Sequence, residues 1–162
     1  MKYMAELRMG LREGTGKGKE YELSPTQYYH RRGGHFVQVA NGLASLCASG
    51  FCTQVMGWVE TPKDTSGKDS WVSSSGDKCF VTYCGDNVFV MPVNEGNASL
   101  STSYIGKGAG IVNTGATHAM IQKAKLGAVT ASPLSIVDVD TTTSGARLVF
   151  VKVKPGKIQA NG

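Results

Sequence analysis

The sequence predicts an all-β fold: a compact barrel or sandwich of about eight or nine short strands, preceded by an extended N-terminal arm. Three observations lead there. Glycine makes up 21 of the 162 residues while charged residues are only 18%, and Ser, Thr and Val are frequent, a composition suited to short strands and tight turns. Short stretches alternate apolar and polar side chains, the period of a half-buried strand. Gly, Asn, Asp and Pro punctuate those stretches at short intervals. The length is that of about one domain, large enough to bury a core without disulfide staples.

Residues 1–35 read as the arm. "MAELRMGLRE" has room for one or two helical turns, which are marginal alone in water, and Gly10 and then "GTGKGK" at 14–19 interrupt them. Pro25 and Gly33-Gly34 break the remainder of the segment. It carries seven Lys/Arg and four Glu, and a chain of that kind orders when it lies on a partner. Its contact candidates are Arg8, Arg12, Lys17 and Lys19, and the run Tyr28, Tyr29, His30, Arg31, Arg32, because aromatics and arginine are favoured as interface anchors.

Residues 36–162 read as the β-rich domain. "HFVQVANG" alternates and ends in Asn41-Gly42, a hairpin turn signal. "TQVMGWVE" places Val55, Gly57 and Val59 on one side and Met56 and Trp58 on the other. From Pro62 to Gly76 runs a polar loop whose large apolar group is Trp71, a lid over the core or an anchor on a neighbouring chain. "KCFVTYCGDNVFVMPV" reads as a hairpin turning near Gly85-Asp86-Asn87, with a further turn at "NEGN". "HAMIQKAKLG" fits helix or strand, and its neighbours favour strand. "LSIVDVD" and "ARLVFVKVK" are strands joined by a turn over Thr141 to Gly145. In the second, Val149, Val151 and Val153 face one way and Phe150, Lys152 and Lys154 the other, a half-buried strand with a basic exposed face.

The candidate chemistry is sparse. "IGKGAGIVNTG", residues 105–115, looks like a phosphate loop, but Ser101 stands where the P-loop frame needs its first glycine, Gly108 follows Lys107 where a hydroxyl is required, and Ile111 replaces the third glycine of the dinucleotide frame. Cys47, Cys52, Cys79 and Cys84 form two C-x4-C pairs in apolar surroundings, which suits buried thiols and leaves a disulfide or a zinc site as alternatives. His30, His35 and His118 form no ligand pair, and no G-x-S-x-G elbow occurs. Asp138 and Asp140 share one face of a strand, where carboxylates beside a Thr-rich turn usually cap and solvate. No catalytic constellation, cofactor or metal is expected. Neither a span of about 18 apolar residues nor an export signal is present, so no membrane partner and synthesis in the cytoplasm are expected.

Charge placement points to an acidic partner. Residues 147–162 carry four basic residues and no acid, so both ends are basic around a slightly acidic middle. For single-stranded nucleic acid the stacking candidates are Phe80, Tyr83 and Phe89, but Lys78 alone lies among them, beside Asp77 and Asp86. A small basic barrel binding single strands stands as the alternative to a protein-binding one.

Taken together, "FVQVANG", "QVMGWVETPKD", the polar loop, "VFVMPVN", "SYIGKGAGIVN", "MIQKAKLG", "LSIVDVD" and "LVFVKVKPGKIQANG" give residues 36–162 an order of motifs that resembles the small head decoration (cement) proteins of tailed bacteriophages. The resemblance implies a β-barrel or β-tulip on the outside of a virion, bound to the major capsid protein, commonly as a homotrimer, with an arm or loop over neighbouring subunits. It implies no enzyme activity and no direct contact with nucleic acid. The basic arm and the four cysteines depart from that pattern.

Overall fold

The computed structural model describes residues 10–30, 34–47, 54–59, 70–94, 100–115, 120–127, 132–140 and 147–159. Within them lie β1 (Gly10–Glu13), β2 (Gly18–Leu23), β3 (Tyr28–His30), β4 (His35–Ala40), β5 (Leu43–Leu46), β6 (Gly57–Val59) and β7 (Ser70–Val72), then β8 (Lys78–Tyr83), β9 (Val88–Pro92), β10 (Gly108–Thr114), β11 (Ile121–Lys125), β12 (Leu134–Val139) and β13 (Leu148–Val153). The helical content of the described residues is two short 3-10 turns, Thr102–Tyr104 and Pro155–Lys157. The all-β expectation holds. The strands outnumber the eight or nine expected, chiefly because the expected arm supplies three.

Five strands close a barrel in the order β2-β5-β4-β6-β8. Its best-marked corner is Asn41-Gly42, where φ of 52° and 79° gives the left-handed pair that a tight hairpin demands. Ala40 therefore faces Leu43, and β4 folds back along β5. Inside the barrel Leu23, Tyr29, Val37, Met56, Val59 and Val81 form one apolar cluster.

Six of the remaining eight strands form a sheet in the order β1-β9-β13-β12-β10-β11, and β3 and β7 form a two-stranded sheet. The six-stranded sheet curls until its last strand nearly meets its second: Val93, just after β9, bridges Ala124 of β11, and the Asn94 N–H donates to the Ala124 carbonyl at 2.9 Å. Phe89, Met91, Ile111, Leu134, Ile136 and Val151 fill the inside of the curl. Alternation along β13 is as expected, with Val149, Val151 and Val153 buried and Phe150 and Lys152 half-exposed. β11 confirms the strand reading of "HAMIQKAKLG".

A seam of aromatic rings joins the two bodies. Phe36 of β4 meets Trp58 of β6 edge-on with centroids 4.8 Å apart, and Phe89 of β9 lies 5.2 Å from Phe36 and 5.6 Å from Trp58. Burying such rings contributes on the order of 2 kcal/mol each. Gly34 is required here, since a Cβ on it would lie 2.0 Å from Trp58 Nε1 and 2.7 Å from the Val59 carbonyl oxygen. Side-chain amides add a second tie. Gln122 of β11 accepts from the Phe36 N–H at 2.6 Å and donates to the Phe36 carbonyl at 3.3 Å, while Asn113 of β10 donates to the Cys47 carbonyl at 3.0 Å. Gln159, beyond β13, likewise bonds both the N–H and the carbonyl of Val39.

Two expectations are corrected. Residues 10–30 are not an arm: β1 pairs with β9, β2 sits between β5 and β8, and β3 pairs with β7. Their backbone hydrogen bonds are satisfied within the fold, so these residues belong to the same body as 36–162. Residues 1–9 and 31–33, with Arg8, Arg31 and Arg32, lie outside the described residues. The second correction concerns "KCFVTYCGDNVFVMPV". The turn is present, closed by the Asn87 N–H on the Cys84 carbonyl at 2.8 Å, but β8 pairs with β2 and β6 whereas β9 pairs with β1 and β13. The chain changes sheets at that corner instead of folding a hairpin.

Cys79 and Cys84 are free, buried thiols, as expected of core residues, whereas Cys47 is disulfide-bonded. Cys52, His118 and the turn over Thr141 to Gly145 lie outside the described residues. The glycine stretch resolves into a turn at Gly106, with φ of 87°, followed by β10. Lys107 is exposed there as a surface cation.

Candidate interaction face

A surface groove of about 590 Å³ opens on the outer side of the six-stranded sheet, where β1, β9, β12 and β13 lie side by side. Two β-bulges build it. In the β1–β9 pair Leu11 faces Phe89 and Glu13 faces Val88, so Arg12 is the extra residue. In the β12–β13 pair Ile136 faces Val151 and Asp138 faces Phe150, so Val137 is the extra residue. A bulge turns its additional side chain out of the regular alternation. Both extra residues line the one groove.

The floor is apolar and the rim is charged. Phe150 lies at the centre, with the Arg12 guanidinium carbon 5.8 Å from the middle of its ring, a cation–π contact worth about 0.5–1 kcal/mol at an exposed site. Val137 is exposed beside them. Around the rim Glu13, Asp86 and Asp138 oppose Arg12 and Lys152. Asp138 also accepts from the Val139 N–H at 2.8 Å, which holds its carboxylate at the bulge.

One edge of the groove is pinned by Asn87, which is buried. Its side-chain oxygen accepts from the Thr15 N–H at 2.8 Å, and its amide nitrogen donates to the carbonyls of Thr15 at 2.8 Å and Tyr83 at 2.9 Å. Gly14, with φ of 120°, packs so closely there that a Cβ would lie 1.9 Å from the Asn87 oxygen. The β1–β2 connection is thereby fastened to the corner between β8 and β9.

The residues expected to form one contact surface are dispersed. Arg12 stands in the groove. Lys17 and Lys19 are exposed on and just before β2, and the Lys19 ammonium lies 5.6 Å from the centre of the Tyr21 ring. Tyr28 is half-buried on β3. Tyr29 is not on the surface as that expectation requires: it is fully buried in the apolar cluster of the barrel, with its ring 5.5 Å from that of His35, so it packs the core. Trp71 belongs to β7, its backbone opposite Tyr29. Sequence reasoning passed over Phe150 and Val137 as site residues, although the alternation of "LVFVKVK" already turned Phe150 outward.

The groove thus combines an apolar centre with a rim of both signs, an arrangement that protein contacts share. Among the described residues no group of His, Cys, Asp or Glu side chains is placed to hold a metal ion, and no helix is long and apolar enough to cross a membrane. No family model, curated protein or solved structure matches this chain.

Proposed function

We propose that this chain is a structural virion protein that binds the outside of a phage capsid and stabilises it by bridging subunits of the major capsid protein, acting as a homotrimer. The observation that carries the proposal is the groove raised by two bulges on one sheet face. Arg12 and Val137 are the side chains that regular strands would have turned elsewhere, and both line the groove with Phe150. Bulges of this kind are selected features rather than defects. The resemblance of residues 36–162 to decoration proteins supplies the partner class. Rigidity supplies the means: two sheet bodies sharing one aromatic seam transmit load between several modest contacts, which act together through effective concentration.

Exposed Phe80 on β8, 51% accessible, favours the second reading, single-stranded nucleic acid stacked on an aromatic. Glu20 lies directly opposite Phe80 and comes within 3.9 Å of Lys78, so the neighbouring cation is already engaged by a carboxylate. The test images purified particles. The chain should lie on the outer shell at a fixed ratio to the capsid protein, and naked shells should take it up from solution. Its absence from the shell, with tight, salt-dependent binding to a single-stranded oligonucleotide, would replace the proposal with the second reading.

A further inference from the structure

The chain's entire positive surplus belongs to its C-terminal part. Residues 1–95 contain ten Lys/Arg and ten Asp/Glu, whereas residues 96–162 contain seven and two, the two being Asp138 and Asp140. Folding places five of those seven cations, Lys107, Lys123, Lys125, Lys152 and Lys154, along β10, β11 and β13 of one sheet. Gln122 and Ala124 point into the core, so Lys123 and Lys125 point outward from β11; Ala109 and Ile111 are buried, so Gly108, Gly110 and Val112 face outward from β10. Register sets Lys125 beside Gly110, Lys123 beside Val112, and Lys152 beside Ser135, which is itself beside Gly108.

The Lys154 ammonium lies close over Gly108, 3.0 Å from where a Cβ would stand, and donates to Ser132 Oγ at 3.1 Å. Lys107 adjoins it, exposed. Gly108, Gly110 and Ser135 thus make a low floor between raised ammonium groups. Asp138, exposed on β12, opposes Lys152; Lys107, Lys123 and Lys125 are like charges without such an ion pair among the described residues, which costs stability, and the cost is recovered when an anionic surface covers them.

We propose that the outer face of β10, β11, β12 and β13 is a docking face for an acidic protein surface. It deepens the capsid reading, on which it rests for the partner's identity, by extending the capsid-facing side from the groove along the same sheet to these lysines. A protein suits the face better than nucleic acid because its margin carries Ile105, 42% exposed, beside Tyr104, whose ring centre lies 5.2 Å from the Lys107 ammonium. An aliphatic knob among cations matches a recess between carboxylates. The Ile105 side chain has no ring to stack on a base, and the half-buried Tyr104 ring already lies against the Lys107 ammonium.

The test compares Lys107→Glu/Lys123→Glu/Lys125→Glu with a control, Lys17→Glu/Lys19→Glu, each checked for an unchanged thermal transition; Lys→Gln versions of both sets serve if a Glu set fails to fold. The probes are poly-L-glutamate and a double-stranded oligonucleotide of equal charge, at about 50 and about 200 mM salt. The triple variant should lose about tenfold or more in affinity for poly-L-glutamate and show a shallower salt dependence, the control less than about twofold. Equal losses from both variants overturn the proposal, as does oligonucleotide binding as tight as that of poly-L-glutamate. Naked shells separate the two readings. A wild-type chain that holds poly-L-glutamate through these lysines but leaves shells bare sinks the capsid reading alone, whereas a triple variant that decorates shells at wild-type occupancy sinks the docking face alone.

Discussion

Cys79 and Cys84 show what burial does to single groups. Burial pushes both thiols from an ordinary 9.0 up to about 12; the nearby Glu20 adds to the effect at Cys79, and a backbone hydrogen bond at Cys84 opposes it slightly. Burial likewise holds the Tyr29 hydroxyl above its usual 10.0. A thiol raised in the native state stays protonated there while the same thiol ionises in the unfolded chain, so its contribution is whole below pH 9 and is lost as pH climbs toward 12. The urea midpoint of unfolding should hold steady at neutral pH and fall progressively above pH 9. A Cys79→Ala/Cys84→Ala double variant, less stable at the outset, should fall less steeply over the same range. Parallel slopes for the two proteins would show that the thiols play no part. Thiol burial was legible in the sequence from "KCFVTYCG", where each cysteine stands among apolar neighbours. Disulfide bonding at Cys47 was not legible, because the two C-x4-C spacings are identical and spacing alone cannot separate a bridge from a free pair.

Among the elements, the tie between β11 and β4 illustrates a different kind of specificity. Gln122 presents to Phe36 an amide that acts as a neighbouring strand would, accepting from the N–H and donating to the carbonyl, and it does so fully buried. Gln122→Leu keeps the volume and takes the Gln122 partner from the Phe36 N–H, while the Phe36 carbonyl keeps the Cys47 N–H at 3.0 Å, a loss of about 1–3 kcal/mol. Gln122→Glu should be worse at neutral pH, since a carboxylate brought against the Phe36 carbonyl and the Asn113 side-chain oxygen meets two acceptors and no second donor. Urea unfolding at constant m-value measures both, and a Gln122→Leu protein as stable as the parent would remove this tie from the account. Strands that carry their own apolar alternation, β4, β12 and β13, were readable in advance, as was the Asn41-Gly42 turn. The change of sheet between β8 and β9 was not, since a turn signal is local whereas the choice of partner strand is set by distant segments. The groove was hidden for the same reason: Arg12 and Val137 reach it through bulges, which have no side-chain signature.

At the scale of the whole molecule, the N-terminal residues decide whether there is one body or a body with a tether. Their sequence reads as an arm because β2 buries little. Of Gly18–Leu23 only Leu23 is fully buried, so the strand shows no alternation, yet its backbone pairs with β8 over five consecutive positions and with β5 over two. Main-chain pairing is indifferent to side-chain type, and a strand held mainly by it escapes periodicity analysis. β3 is too short, at three residues, to show a period at all. The closed barrel makes the consequence sharp. A chain starting at residue 31 loses β2, opens the barrel between β5 and β8, and removes Leu23 and Tyr29 from its core. Because the aromatic seam couples that core to the curled sheet, the damage should spread and the 31–162 chain should show no cooperative thermal transition. A chain starting at residue 10 keeps every described strand and should melt as the parent does, within a few degrees. Calorimetry of the two truncations decides the matter: a 31–162 chain that unfolds cooperatively, with the parent's enthalpy per residue, would restore the tethered-arm organisation and remove the N-terminal strands from the fold.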